Sequence, residues 1–230
     1  MGSRVSGDVS NVDDPGLTAP FFPNNQAPTR WAKRGTDIVV ATAALIFLSP
    51  LIIVVAMIVR LQDGGPAFFA QKRIGRNGKT FMCFKVRSMV PDAEERLKDI
   101  LADDASARRE WEETQKLTND ERVTPFGNFL RKSSIDELPQ LLNVLRGEMS
   151  MVGPRPIIEA EVPRYAEYFT QYCSVSPGLT GLWQVEGRSD TTYEERVQLD
   201  VEYARTRSFW GDIKILLMTL PAVLRSRGAR

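Results

Sequence analysis

The sequence predicts a mainly α protein with a small β-hairpin, monotopic in a membrane. A re-entrant helix-break-helix and amphipathic interfacial helices are expected to pack on a cytosolic domain. Three observations carry this. Between Ile38 and Val59 lie 22 almost wholly apolar residues with Ser49-Pro50 at their centre. Asn77-Gly78, a pair favoured in tight hairpin turns, separates two segments rich in aromatic residues. Downstream, apolar residues recur at helical spacing, as at Leu138, Leu141, Leu142 and Leu145. The expected division is a disordered leader at 1–30, a membrane hairpin at 31–61, a cytosolic domain at 62–208, and an interfacial helix with a basic tail at 209–230.

A helix over the apolar block would be about 33 Å long, enough to cross a hydrocarbon core of roughly 30 Å. Its flanks argue against a simple crossing. Arg30, Lys33 and Arg34 precede it, and Arg60, Lys72, Arg73, Arg76 and Lys79 follow it. Since positive residues mark the cytoplasmic side, both ends favour that side. A helix that enters, breaks at Ser49-Pro50 and returns satisfies both flanks, with the Ser49 hydroxyl serving a carbonyl that Pro50 leaves without a donor. A kinked single span is the second reading. The block starts far from Met1 and exceeds the apolar core of a cleaved signal.

Composition narrows the chemistry. With 30 Lys and Arg against 29 Asp and Glu, the net charge of +1 gives no global attraction to nucleic acid. The chain has no histidine. That removes the commonest neutral-pH base, the histidine-dependent hydrolase triads and most zinc sites. Catalysis is left to carboxylates, cations and a hard metal. Cys83 and Cys173, 90 residues apart in apolar surroundings, fit buried thiols of a reducing compartment.

Residues 1–30 hold Gly, Asn, Pro and Asp with scattered apolar positions, which fits disorder. Phe68–Gln71 and Phe81–Val86 flank the Asn-Gly turn as hairpin strands. Residues 92–117, charged with Leu97, Ile100, Leu101 and Trp111 at helical spacing, predict a surface helix or helix pair. Ser134 stands three residues before Glu137, the capping-box spacing, and Pro139 is tolerated in a first turn. Asp136 and Glu137 are therefore expected at a helix N-terminus. Phe209 to Leu224 is apolar, broken by Pro221 and followed by Arg225, Arg227 and Arg230, which suits an interfacial helix, with an ordinary core helix as the alternative.

Asp136-Glu137 is the sharpest chemical candidate. Carboxylates at a helix N-terminus feel the positive end of the macrodipole, about 0.3 to 1 kcal/mol each, which favours ionisation. An ionised Asp is a competent nucleophile toward phosphorus, and a neighbouring Glu helps to hold a cation. The plain alternative is helix-end charge and nothing more. Cations nearby in sequence favour the chemical reading. Arg131 and Lys132 lie upstream, Pro154-Arg155-Pro156 holds an arginine between two φ-locked residues, and Lys85 and Arg87 add charge on a strand. The turn Pro177-Gly178-Leu179-Thr180-Gly181, followed by Trp183, Gln184 and Arg188, is suited to present amides and polar groups to a nucleotide.

Taken in order, Lys33-Arg34, Ser49-Pro50, Phe84-Lys85-Val86-Arg87-Ser88-Met89, the run from Leu130 to Gln140, Asn143-Val144-Leu145-Arg146-Gly147, Ser150 to Pro156 and Pro177 to Gly181 resemble the bacterial sugar transferases. These are the monotopic phosphoglycosyl transferases that prime exopolysaccharide and O-antigen synthesis. The resemblance covers residues 31 to about 225 and is strongest to the short exopolysaccharide-priming galactosyl or glucosyl phosphate transferases. It implies that the 62–208 domain is catalytic and lies on the inner face of the cytoplasmic membrane. Hexose-1-phosphate would pass from a UDP-hexose to undecaprenyl phosphate, releasing UMP. Asp136 would attack the β-phosphorus to form a covalent phosphosugar intermediate, with Glu137 assisting and the two carboxylates placing Mg²⁺. Arg131 and Arg155 would bind phosphate, and Gly178, Thr180, Gly181, Gln184 and Arg188 would lie near the nucleotide. A homodimer through the last helix and exopolysaccharide assembly proteins are the further candidate partners. Two other classes stand beside this: a membrane-bound glycosyltransferase that attacks the anomeric carbon and releases UDP, and a non-catalytic membrane module that recruits assembly proteins. The residues do not identify the hexose.

Overall fold

The computed structural model describes residues 26–115, 117–186 and 192–224. The leader expected at 1–30 lies outside them up to residue 25, as do Arg188 and the terminal Arg225, Arg227 and Arg230. The apolar block does not divide into two helices. It lies within one 38-residue helix, α1 (Gln26–Asp63), with Pro50 inside. Pro50 has no N–H for the Ile46 carbonyl four residues back. The Ser49 hydroxyl donates to that carbonyl instead, at 2.9 Å. A missing rung is thus replaced locally, and the helical course survives the proline.

β1 (Phe68–Ile74) and β2 (Thr80–Val86) form the antiparallel hairpin, with Phe69 opposite Lys85 and Gln71 opposite Cys83. Asn77 and Gly78 both take positive φ, 58° and 71°, as the Asn-Gly pair foretold. The charged segment forms α2 (Ala93–Asp103) and α3 (Ala105–Thr114), and α2 buries no residue. α4 (Pro125–Lys132) starts with Thr124 accepting from the Gly127 N–H at 2.9 Å and Pro125 in the first turn. A Cβ at Gly127 would lie 1.9 Å from the Ser88 carbonyl oxygen, so only glycine lets α4 meet the chain leaving β2.

α5 (Gln140–Arg146) follows, ending at Gly147 with φ 81°. Leu141 and Val144 form its buried face, whereas Leu142, expected inside, is 40% exposed. A second sheet escaped the sequence reading: β3 (Ser150–Val152) pairs in parallel with β4 (Gly178–Thr180). Short helices α6 (Val162–Tyr165) and α7 (Phe169–Cys173) lie between these strands, and α8 (Leu182–Glu186) follows. α9 (Tyr193–Thr206) has a true capping box between Thr192 and Glu195, and α10 (Phe209–Leu224) closes the described chain. On α10, Asp212 and Ile215 are buried while Trp210 and Leu217 face outward. Cys83 and Cys173 are both free thiols, the first buried.

The start of α1 is fastened to this body by charge. Lys33 Nζ donates to Asp212 Oδ2 at 2.7 Å and to the Val152 carbonyl at 3.0 Å. At the end of α5, Arg34 donates to the Leu145 carbonyl and to the Val144 carbonyl, which also accepts from the Gly147 N–H. Asp37 accepts from Ser150 Oγ and the Met151 N–H. Lys33 and Arg34, expected as positive membrane flanks, are thus ties to the folded domain. At the far end, Arg87 donates to Asp63 and to the Val59 carbonyl, and Val55 and Val59 pack with Val86 and Leu130.

Asn143, fully buried, joins the hairpin to α5. Its Oδ1 accepts from the Phe84 N–H at 3.0 Å, and its Nδ2 donates to the Met82 carbonyl at 2.7 Å and to Glu148. Asn143→Ala strands buried β2 edge groups at about 1–3 kcal/mol each. A loss of about 3 kcal/mol is expected, read as a lowered denaturation midpoint in detergent or nanodiscs.

Candidate active site

Asp136 and Glu137 lie on a 3₁₀ turn, Ile135–Glu137, between α4 and α5. The expected capping box is absent. Ser134 takes a left-handed φ of 57° and its side chain makes no cap hydrogen bond. The pair is therefore not held by the first turn of α5, and the macrodipole does not govern its charge. A strained turn does the positioning, with Leu138 N–H closing on the Ile135 carbonyl.

Lys85 reaches both carboxylates from β2. Its Nζ lies 2.8 Å from Glu137 Oε1 and 3.9 Å from Asp136 Oδ2. The two acids respond differently. Burial pushes Asp136 up to about 6, with Lys85 opposing and the Glu137 charge reinforcing the rise. Burial also acts on Glu137, but Lys85, Arg155 and Arg73 outweigh it and hold that carboxyl down at about 2. Glu137 is a fixed anion, and Asp136 is the one whose charge is expensive. A carboxylate stripped of water and not neutralised by a close partner is the better nucleophile of the two.

The cleft beside them holds about 280 Å³ of open space. Lys85, Glu137, Arg155, Gly178 and Gln184 line it, joined by Arg73, Gln140 and Cys83, which the sequence reading had not singled out. Arg73 was within reach of pattern: the register set by Asn77-Gly78 puts it on the same face as Lys85. Arg155 stacks over Trp183 at 5.6 Å and makes no ion pair with a described residue. Arg196, over the same ring at 5.2 Å, and Arg73 both turn to Glu161, at 3.4 and 3.6 Å. Glu161 thereby satisfies two arginines and leaves Arg155 for an anion from solution.

Other expected contacts lie elsewhere. Arg131 donates to Ser88 Oγ at 2.9 Å and acts on Asp136 through its charge. Arg87 is turned to Asp63, away from the cleft. Gly178 lines the cleft, yet its N–H goes to the Pro154 carbonyl at 2.7 Å, and Thr180 Oγ1 pairs with Thr219. Gly181 backs onto Gly153, where a Cβ would lie 2.1 Å from the carbonyl oxygen. What reads as a nucleotide-binding turn is thus largely strand β4. Of that group, Gln184 places its side chain at the cleft, and Arg188 lies outside the described residues.

No group of three or more His, Cys, Asp or Glu among the described residues is placed to hold a metal. Two adjacent carboxylates still fit Mg²⁺, which draws the rest of its shell from phosphate oxygens and water.

Buried Asp136 and half-buried Glu137, ringed by Lys85, Arg73 and Arg155 on a body fastened to a long apolar helix, form an acidic pair in a cationic cleft. The chain belongs to the bacterial sugar transferase family, whose model matches residues 28–226. It is 50% identical over 87% of its length to undecaprenyl-phosphate galactose phosphotransferase of Salmonella typhimurium, of which it covers 42%. It is 44% identical to exopolysaccharide production protein ExoY of Rhizobium meliloti, with 92% of this chain and 96% of that one aligned. It is also 41% identical to the UDP-glucose:undecaprenyl-phosphate glucose-1-phosphate transferase of Escherichia coli, covering 40% of it. The chain spans less than half of the Salmonella and Escherichia relatives and nearly all of the Rhizobium one.

The folded value of Asp136 lies above its usual 3.8, so its ionisation opposes folding once pH exceeds about 6, and the opposition fades as pH falls toward 4. Asp136→Asn is therefore expected to be inactive yet more stable than the parent at pH 7.5. That gain should vanish below pH 4, as read from denaturation midpoints across pH.

Proposed function

We propose that the chain transfers hexose-1-phosphate, galactose or glucose, from a UDP-hexose to undecaprenyl phosphate. The observation that carries this is the asymmetric pair: a buried, poorly neutralised Asp136 beside a Glu137 fixed by Lys85. An Asp136 oxygen attacks the β-phosphorus of the donor, and the bond from that phosphorus to the bridging oxygen breaks, releasing UMP. The phosphosugar is then held as an acyl phosphate. A phosphate oxygen of undecaprenyl phosphate attacks the same phosphorus, and the acyl phosphate bond breaks to free Asp136. Arg155 and Lys85 balance charge on the diphosphate, and Arg131 steadies the nucleophile's turn through Ser88. Such transfers rest on positioning and electrostatics, which a chain without histidine can supply. Asp136 and Glu137 would hold Mg²⁺, which when bound neutralises diphosphate charge. The relatives' printed names, with galactose, glucose and undecaprenyl phosphate among them, support this substrate class.

We also infer that α1 re-enters rather than spans, with the body on the cytoplasmic face of the inner membrane. One folded unit grips both ends of the helix, through Lys33 and Asp37 at one and Asp63 at the other. A spanning helix puts its ends on opposite sides of a roughly 30 Å core, where one body cannot hold both. Between the grips, Ile46, Phe47, Ile53 and Val54 around Ser49-Pro50 are exposed and apolar, as a lipid-immersed bend requires. The outward Trp210 and Leu217 of α10 suit the interface. A homodimer and assembly proteins belong to the same proposal as partners.

In nanodiscs with undecaprenyl phosphate, Mg²⁺ and UDP-galactose or UDP-glucose, UMP is the expected nucleotide. It should be absent with Asp136→Asn, and chelation should stop it. UDP as product would establish attack at the anomeric carbon instead. With Cys83 and Cys173 replaced, Ser10→Cys and Asn119→Cys should react alike with an impermeant thiol reagent in sealed vesicles. Opposite accessibility would mean a span.

A further inference from the structure

The hairpin carries a feature that the transfer scheme does not use. Phe69 stands directly opposite Lys85 in the β1–β2 register, so the two side chains share one face of the sheet. Lys85 is the residue that touches Glu137 at 2.8 Å, yet Phe69 is 47% exposed. A half-exposed aromatic beside the reactive carboxylates contributes little to the fold.

Its place in the chain gives it a direction. β1 begins five residues after α1 ends at Asp63. Ala67, just before β1, packs against the cluster that Val55 and Val59 of α1 form with Val86 and Leu130. Along the face of Phe69 come Gln71 and then Arg73, which lines the cleft. Over roughly 13 Å of strand from Phe69 to Arg73, the surface passes from apolar near α1 to cationic beside the carboxylates. Its polarity runs in the same order as that of a prenyl phosphate, hydrocarbon at one end and anion at the other. Arg155, Gly178 and Gln184 form the part of the cleft lining supplied by other elements.

We propose that Phe69 is a binding residue for the acceptor lipid, seating the first prenyl units of a polyprenyl phosphate as its phosphate approaches Lys85 and Asp136. The inference rests on the reading of Asp136 as the carboxylate that serves donor and acceptor in turn. Phe69 then discriminates a lipid phosphate from a soluble one, and it does so in the second half of the reaction only.

The test uses full-length protein in nanodiscs with Phe69→Ser and Phe69→Leu. Covering the exposed half of one aromatic ring supports an acceptor KM about five- to tenfold higher in Phe69→Ser, recovered largely by Phe69→Leu. Release of UMP from donor alone, before acceptor is added, should stay within about twofold, since acceptor is absent from that step. Flotation with acceptor-free vesicles should not change. A loss of flotation would make Phe69 an anchor in bulk lipid, and an equal fall in both half-reactions would make it structural. Either result overturns the proposal. A prenyl phosphate bearing a diazirine on its first units gives a readout independent of turnover. Cross-links within Phe68–Ile74 are expected, and their confinement to α10 or α4 would overturn the assignment. No UMP from donor alone in the parent protein would strike at the covalent scheme, while the cross-link map would still decide where the acceptor lies.

Discussion

The whole arrangement depends on α1 being clasped at both ends by one body. Lys33, Arg34 and Asp37 each reach across to a polar group of the body: the Asp212 carboxylate, the last carbonyls of α5, and the donors of β3. Removing one partner of such a set costs far more than the modest net gain of making it. The same three residues fix α5, β3 and α10 to the membrane helix. Since the turn with Asp136 leads into α5 and β3 carries the chain to Arg155, the clasp sets where the site lies relative to α1.

Around that frame, several of the buried and half-buried ions are matched to near partners. Glu161 gathers Arg73 and Arg196, Lys85 settles on Glu137, and Asp63 takes Arg87. Asp136 is left with Lys85 at a distance of 3.9 Å and with burial raising the energy of its ionised form. A protein that is electrically balanced overall thus keeps a costly charge at Asp136, beside the cationic cleft. The strained Ser134 adds to this local cost, and the well-packed Leu130, Leu141 and Val144 on either side offset it.

Much of this was legible in the sequence wherever a local rule governed. Asn77-Gly78 set a turn, and the bounds of α10 fell where hydropathy placed them. Asp136, Glu137 and Lys85 were named together for their charges, and the fold brings them within 4 Å. What escaped depended on contacts distant in sequence. β3 and β4 are three residues each and pair across 28 positions, too short for a period to register. Ser134 has the spacing of a cap but a left-handed backbone, because the chain must reverse there to bring Asp136 to Lys85. Arg87 resembles Lys85 in type, but β2 ends at Val86, and beyond it Arg87 turns to Asp63 at the end of α1 while Lys85 stays on the strand beside Glu137.

One small contact has consequences out of proportion to its size. The Ser49 hydroxyl stands in for an amide that proline lacks, so the apolar middle of α1 carries no bare Ile46 carbonyl, which in hydrocarbon would cost several kcal/mol. Serine and proline therefore form a unit in which neither member is neutral alone. Losing the serine leaves an oxygen that lipid cannot solvate. Losing the proline returns an amide to that carbonyl and leaves the serine hydroxyl with nothing to replace. Continuity of the helix across its apolar middle thus rests on two adjacent residues exchanged together or not at all.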